Sequence, residues 1–387
     1  MNVVYLCRNR LGGIDRMLPI LMEIKKIKPE LNPLIVFLNE KHRKDIKMNY
    51  HLWQGIETVG ARTYAMKGKN KFATLIRLIR FIAMLSFRYN IIMKDQDLLP
   101  FYNVSMGILK KLSKVIEIKL FLGIQIAEVF KNLTIQRTLD LTRKGLSISS
   151  PLKGEYDYLI SALSKNELEE LGEKPKKLVE VGYVYKMPEW TKFAEAKRVK
   201  GDYFLYILKT LGIRRTGLKE PEIIEIMEES LDVLKNYNIK TVFKPQTITD
   251  MDKLKQTLKK LNYSNYVIDY GHAFILSYNA KFIFTNIFST IMCMTYYLGI
   301  PSIEYAAYDS ELLSKLGGSL GGRFCDFFIQ RDKNKLKEVL DKVINGEANI
   351  NRDSSIMQTS FRNTPREFYE FWHKLLLRNP IDDVEKS

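Results

Sequence analysis

The chain has 387 residues, 46% hydrophobic and 27% charged, which excludes wholesale disorder and allows two or three domains with cores of their own. Its 61 Lys and Arg against 44 Asp and Glu leave a net charge of +17, and the excess is one-sided: residues 1–150 hold 26 basic and 11 acidic side chains, the rest 35 and 33. Such an imbalance points to a polyanionic partner (nucleic acid, an anionic membrane or a phosphate-bearing acceptor), with a lysine-rich but unpartnered surface as the plain alternative.

Taken in order, Val3–Cys7 is expected to be a first strand. MNVVYLCRNR puts apolar residues before charges, which is the reverse of a secretory signal. A loop with Gly12 and Gly13 follows, then a helix over about Asp15–Lys28 and a strand at Leu34–Leu38. Residues 70–89 are expected to form a basic amphipathic helix. Arg77, Arg80 and Arg88 lie near one face, which suits either a membrane interface or a helix covering the domain with an arginine edge. A strand at Asn90–Lys94 ends in Asp95, Gln96 and Asp97. Short strands at Tyr156–Ser161 and Leu178–Val181 flank the helical SKNELEEL, and the polar stretch Pro188–Asp202 is the candidate linker.

A second alternation begins at the strand Tyr203–Leu208. It continues with an acidic helix over Pro221–Tyr237, a strand at Thr241–Phe243 and a helix over Met251–Leu261. Then come a strand at Tyr266–Asp269, a helix at His272–Asn279, a strand at Lys281–Thr285 and a helix from Ser289 to Leu298 that stops at Gly299. A strand at Ile300–Glu304 and helices at Lys333–Ile344 and Pro365–Leu377 complete the chain. Strand and helix alternate throughout, so the class is α/β with parallel sheets. The expected organisation is two Rossmann-like domains facing across a cleft, residues 1–190 and 200–360, closed by a C-terminal helix and tail over 361–387. Cys7, Cys293 and Cys325 are too widely spaced for a zinc site or a disulfide framework, and no uncharged apolar run reaches 18 residues.

Ligands of open parallel sheets bind beyond the carboxyl ends of strands. The stretch 270–305 is the most informative there. A buried strand delivers Asn286 and then Ser289 and Thr290 to the start of a helix, where hydroxyls, free N–H groups and the helix dipole can hold a phosphate. The same pair is also compatible with ordinary capping. Lys209, Thr210, Gly212, Arg214 and Arg215 follow the strand at 203–208 as a basic loop. His272 opens a helix after Asp269, where an imidazole can donate to a phosphate or simply cap. In the first half, Asp15 and Asp97 each stand near a strand end, as a general base for a hydroxyl would. Asp95-Gln96-Asp97 is formally a D-x-D, too short a pattern to carry a metal site, and no metal is expected.

Residues 203–345 resemble the donor-binding half of GT-B glycosyltransferases. By motif the chain is similar to bacterial surface-polysaccharide enzymes, among them CMP-using sialyltransferases and teichoic-acid glycerophosphotransferases. Those carry Lys-x-His-Pro after one strand and a Ser-Ser or Ser-Thr pair later. Here the pair is Ser289–Thr290, while the earlier motif reads Lys244, Pro245, Gln246, Thr247, with no histidine. The resemblance implies that Lys209, Thr210, Arg214, Lys244, His272, Asn286, Ser289, Thr290 and Glu304 line the donor, with Glu304 on ribose or sugar hydroxyls and Tyr305 and Tyr308 flanking the base or sugar. It implies an acceptor in the first half, near Gly12, Gly13 and the arginine helix.

The expected function is transfer of a sugar from a nucleotide-activated donor (CMP-, UDP- or other) to a hydroxyl of a cell-surface glycan. The enzyme is expected to be cytoplasmic and peripheral at the inner membrane face, with no cofactor. The acceptor is a glycan or lipid-linked glycan, an anionic membrane is a partner, and nucleic acid is not. A polyol-phosphate transferase of the CDP-glycerol type on the same fold and a non-catalytic polyanion-binding protein are the alternatives.

Overall fold

The computed structural model describes residues 1–7, 11–95, 100–122, 127–142, 145, 156–208, 220–246 and 249–377. The chain divides into two compact units. One comprises Met1–Ala127, Ser149–Phe193 and the segment from Gln358; the other comprises Glu128–Ile148 and Ala194–Met357.

The first unit is built on strands β1 (Asn2–Leu6), β2 (Leu34–Asn39), β3 (Arg62–Lys67), β4 (Asn90–Asp95), β5 (Val115–Phe121), β6 (Tyr158–Ser161) and β7 (Leu178–Glu180). They form one sheet in the order β3-β2-β1-β4-β5-β6-β7, and every pairing is parallel. Every residue of the central strand NVVYL is buried, as a strand covered by helices on both faces requires. The register Val4↔Leu34 and Val4↔Ile92 lines up Val4, Leu6, Leu34, Val36 and Ile92 in one apolar cluster with Phe81 and Leu85 of the helix Lys71–Leu85.

β5 carries two charged side chains, Glu117 and Lys119, both buried. Glu117 is compensated by Lys110 at 3.0 Å and Lys94 at 3.8 Å, and the Lys119 ammonium lies over the Tyr156 ring at 5.7 Å. A buried charge persists only when paired in this way.

The second unit contains β8 (Tyr203–Ile207), β9 (Lys240–Lys244), β10 (Tyr266–Ile268), β11 (Ala280–Thr285), β12 (Ser302–Ala306) and β13 (Phe327–Gln330). The order is β10-β9-β8-β11-β12-β13, again wholly parallel. Its core is aromatic: Phe204 stacks on Phe282 at 4.8 Å, and Tyr206 packs between Phe243 and Phe284. At the amino ends of β12 and β13, Arg352 donates to Asp326 at 3.0 Å and to the carbonyls of Tyr296 and Ile300.

Several boundaries differ from expectation for identifiable reasons. The stretch 188–202 is not a linker over its first half: Pro188–Ala196 is a helix with Trp190 fully buried against Tyr185, and Glu23 accepts from the Glu189 amide at its start. The first helix runs Leu11–Ile27, so Gly12 and Gly13 lie in its opening turn rather than in a preceding loop. The helix Lys71–Leu85 ends earlier than 89, because Phe87 turns into the left-handed region at φ 59°. The C-terminal helix Arg366–Leu376 buries Phe368 and Trp372 within the first unit, where Phe371 meets Tyr158 at 5.0 Å. Among the described residues, no helix is long and apolar enough to cross a membrane.

Candidate active site

In a doubly wound sheet the ligand crevice opens where consecutive strands leave in opposite directions. In the second unit that point lies between β8 and β11, because β8 leads on to β9 on one side while β11 and β12 continue on the other. The loop after β11 carries Asn286, Ile287, Phe288, Ser289 and Thr290, and the helix Ile291–Leu298 follows. Lys209, Thr210, Gly212, Arg214 and Arg215 fall in the segment after β8 and lie outside the described residues, as does Thr247.

The loop after β11 is braced from below. Asn286 accepts a hydrogen bond from the Tyr206 hydroxyl and donates to Ser230 Oγ at 3.2 Å and to the Tyr305 carbonyl at 3.1 Å. Its amide is therefore occupied within the protein, tying β11 to β8, β12 and the helix Glu220–Leu234. The Phe288 amide donates to the Tyr308 hydroxyl at 3.1 Å, and that hydroxyl donates in turn to Glu304 Oε1. The other Glu304 oxygen accepts from Ser319 Oγ at 2.5 Å, and Ser319 Oγ receives the Gly321 amide at 2.9 Å. Gly321 is required there, since a Cβ would stand 2.5 Å from the Phe288 ring.

This arrangement corrects the roles expected of three residues. Glu304 has no exposed surface, and each of its carboxylate oxygens is engaged by a hydroxyl, so it positions the loop rather than meeting a sugar hydroxyl. Tyr305 is fully buried and donates to Glu229 at 2.9 Å, while Tyr308 is buried and stacked on Phe328. Neither ring stands open to flank a base. Burial, and then the Glu304 charge, hold the Tyr308 phenol far above its usual range, so it remains a donor at every working pH. Burial likewise pushes the nearby Cys325 thiol well up.

Above this brace, Ser289 is buried and Thr290 is exposed. Thr290 occupies the position before the helix but its side chain makes no capping bond; its φ and ψ of −57° and −14° are already helical. Thr290 therefore does not do the capping that offered the plain explanation of the pair. The first-turn bonds run from Met292 N to Ser289 O and from Cys293 N to Thr290 O.

His272 precedes the short helix Ala273–Ser277 without a side-chain capping bond and is 2% exposed. That helix packs beside Ile291–Leu298, so the two lie on one face of the sheet. Lys244, at the end of β9, is buried and donates to the Pro245 carbonyl at 2.9 Å.

In the first unit the corresponding switch point lies between β1 and β4. Asp15 stands in the second turn of the helix that follows β1, partly exposed, and its Oδ1 accepts from the Tyr185 hydroxyl at 2.7 Å. Tyr185 is 1% exposed and its phenol is held far above the usual range, first by burial and then by the Asp15 charge. Arg16 donates to the Gly12 carbonyl at 2.6 Å and to the Leu122 carbonyl at 2.9 Å, and a Cβ on Gly12 would collide with its guanidinium. Asp97 lies outside the described residues.

Of the arginine trio, Arg80 and Arg88 are exposed. Arg77 instead turns back onto the sheet edge. It donates to the Ala65 and Lys67 carbonyls at 3.0 Å each and reaches Glu40 at 3.5 Å, so it serves the fold. The sequence reading missed the Tyr185 partner of Asp15 and the Ser319 partner of Glu304. Both come from distant segments, and only the tertiary pairing reveals them.

No protein-family model matches the chain, and no curated protein matches it. Solved structures do. The chain is similar to a UGT transferase from Siraitia grosvenorii solved with UDP, at 11% identity over 97% of this chain and 100% of that one, with a TM-score of 0.53. It is similar to the spinosyn forosaminyltransferase SpnP at 11% identity, 98% and 100% coverage and a TM-score of 0.52. It is also similar to a putative UDP-N-acetylglucosamine 2-epimerase from Listeria monocytogenes at 12% identity, 97% and 94% coverage and a TM-score of 0.51. At these identities the likeness is one of fold: two Rossmann-like parallel-sheet domains of the GT-B type.

Proposed function

We propose that the protein is a GT-B glycosyltransferase that moves a sugar from a nucleotide-activated donor to a hydroxyl of a cell-surface glycan at the cytosolic membrane face. The observation that carries this reading is the loop at the β8/β11 switch point. A buried Glu304–Tyr308–Ser319 network holds its backbone, and the exposed Thr290 at the helix start is not spent on capping. The fold likeness to a UDP-bound transferase and to a forosaminyltransferase supports a nucleotide-sugar donor. The Ser-Thr pair supports the likeness to the bacterial polysaccharide enzymes.

In the proposed reaction the acceptor hydroxyl passes its proton to the Asp15 carboxylate, which Tyr185 orients. The oxygen bonds to the anomeric carbon as the bond from that carbon to the donor phosphate breaks. Negative charge gathers on the departing phosphate, where the N–H groups of the helix start, the Ser289 and Thr290 hydroxyls, Lys209 and Arg214 meet it. A helix end and cationic side chains stabilise that charge without a dedicated metal, so turnover is expected to survive a chelator.

The test is a thermal-shift and calorimetric screen of nucleotide sugars on the wild type and the Ser289→Ala/Thr290→Ala double variant. Because Thr290 caps nothing, the variant should lose donor binding while its stability falls by less than about 1 kcal/mol, the usual cost of a lost cap. Unchanged donor affinity in the folded variant removes the assignment. Turnover with CDP-glycerol or CDP-ribitol but no nucleotide sugar replaces glycosyl by polyol-phosphate transfer. Epimerisation of the donor without an acceptor removes the transferase reading.

A further inference from the structure

We infer that the outer face of the helix Lys71–Leu85, together with the turn at Phe87, seats in the interface of an anionic lipid bilayer. The core uses only one side of this helix, where Phe81 and Leu85 are fully buried. Phe72, Leu75 and Ile79 recur at i, i+3 and i+7 on another face and are 71%, 52% and 57% exposed. Phe87, in its left-handed turn, is 88% exposed, and its amide donates to the Leu112 carbonyl at 3.1 Å. That bond joins the ridge to the helix Pro100–Leu112, on which Ile108 and Leu112 are also exposed. Single exposed apolar residues are ordinary, but one phenylalanine and two aliphatics along one helix face, with Phe87 in the turn beyond it, mark a contact surface.

The charge around the ridge selects the occupant. Lys67, Lys69, Lys71, Arg80, Arg88, Lys111 and Lys114 are all exposed, and no Asp or Glu occurs between Lys67 and Lys94 or between 98 and 116. An apolar ridge bordered by cations matches the interfacial region of an anionic leaflet, with the side chains at acyl depth and the ammonium and guanidinium groups among the phosphates. A second copy of this chain would instead bring the same cations face to face. The arginine edge expected from sequence is thus not the docking element by itself: Arg77 is turned inward, and the apolar ridge makes the insertion. The inference rests on the proposed transferase reading only for its purpose, which is to bring the enzyme to a lipid-borne acceptor.

The experiment uses the full chain with no donor present, and phosphatidylglycerol-containing or pure phosphatidylcholine vesicles as probes. Wild-type protein should co-sediment with the anionic vesicles at low salt and weaken as salt rises. Leu75→Glu/Ile79→Glu and Arg80→Glu/Arg88→Glu should each weaken binding by at least about tenfold, without altering nucleotide-sugar binding. Phe72→Trp, a change at an exposed position, should add fluorescence over the wild type that brominated acyl chains quench, and this readout stands even if a double variant fails to fold. Three outcomes overturn the inference: wild-type protein that ignores anionic vesicles at low salt, added fluorescence in the Phe72→Trp variant that brominated lipid does not quench, or a stable dimer that Ile79→Glu dissociates. Lipid binding in a protein that binds no nucleotide sugar would instead leave this inference standing and remove the transferase reading.

Discussion

Replacing Tyr308 with Phe removes one oxygen and keeps the ring that stacks on Phe328. In the wild type that oxygen gives its proton to Glu304 and accepts the Phe288 amide at 3.1 Å, all inside the protein. A hydrogen bond to a charged group contributes roughly 1.5–3 kcal/mol, and depriving a buried amide of an acceptor costs about 1–3 kcal/mol more. The two losses share one atom and are not additive, so we expect a destabilisation of about 3 kcal/mol. Urea unfolding of the wild type and the variant at pH 7.5 measures it directly. Because the lost bond also holds the 286–290 loop, the folded variant should bind a nucleotide sugar at least about tenfold more weakly, a loss of about 1.4 kcal/mol. If Glu304 and Tyr308 acted on the ligand alone, donor affinity would fall while stability stayed within about 0.5 kcal/mol of wild type. That pattern would refute the bracing role assigned to this network.

Asp15→Asn should leave donor affinity intact and lower turnover by about 100-fold or more, whereas Tyr185→Phe, which removes only the hydroxyl that orients the carboxylate, should lower kcat less. Near-normal rates in both variants would count against the base assignment. His42 is 3% exposed, packs edge-on against Phe37, and neither ring nitrogen has a hydrogen-bond partner among the described residues; burial lowers its pKa, partly opposed by Asp45. Its neutral form therefore belongs to the folded state: its penalty is absent above the unfolded histidine value of about 6.5 and appears as pH falls below it. His42→Leu should flatten the decline in stability between about pH 7.5 and pH 5, measured by denaturant titration, and a slope equal to wild type would exclude His42 as its source.

The two parallel sheets were legible because their central strands are buried on both faces. NVVYL, LIVFL, YFLYI and KFIFT read as apolar runs in any setting, and the helices between them carry clear starts and stops, such as the left-handed Gly299 after Leu298. Three strands escaped the reading for physical reasons. β3 is a half-exposed edge strand with polar residues, β13 is a four-residue edge strand, and β5 carries Glu117 and Lys119, charges acceptable in a sheet only because Lys94, Lys110 and Tyr156 arrive from elsewhere to meet them.

The loop bearing Ser289 and Thr290 was recognisable from its place between a buried strand and a helix, since that placement is local. What each side chain does there was not. Glu304 and Asn286 read equally well as ligand groups or as parts of the fold, and the partners that decide between those roles, Ser319, Tyr206 and Ser230, lie 15 to 80 residues away. Arg77 and Phe72 show the same limit. Helical periodicity places both on the helix Lys71–Leu85, but only the packing of that helix onto its sheet turns Arg77 inward and leaves Phe72 in solvent. A sequence carries the period of an element, whereas the face that element buries is set by the neighbour it meets.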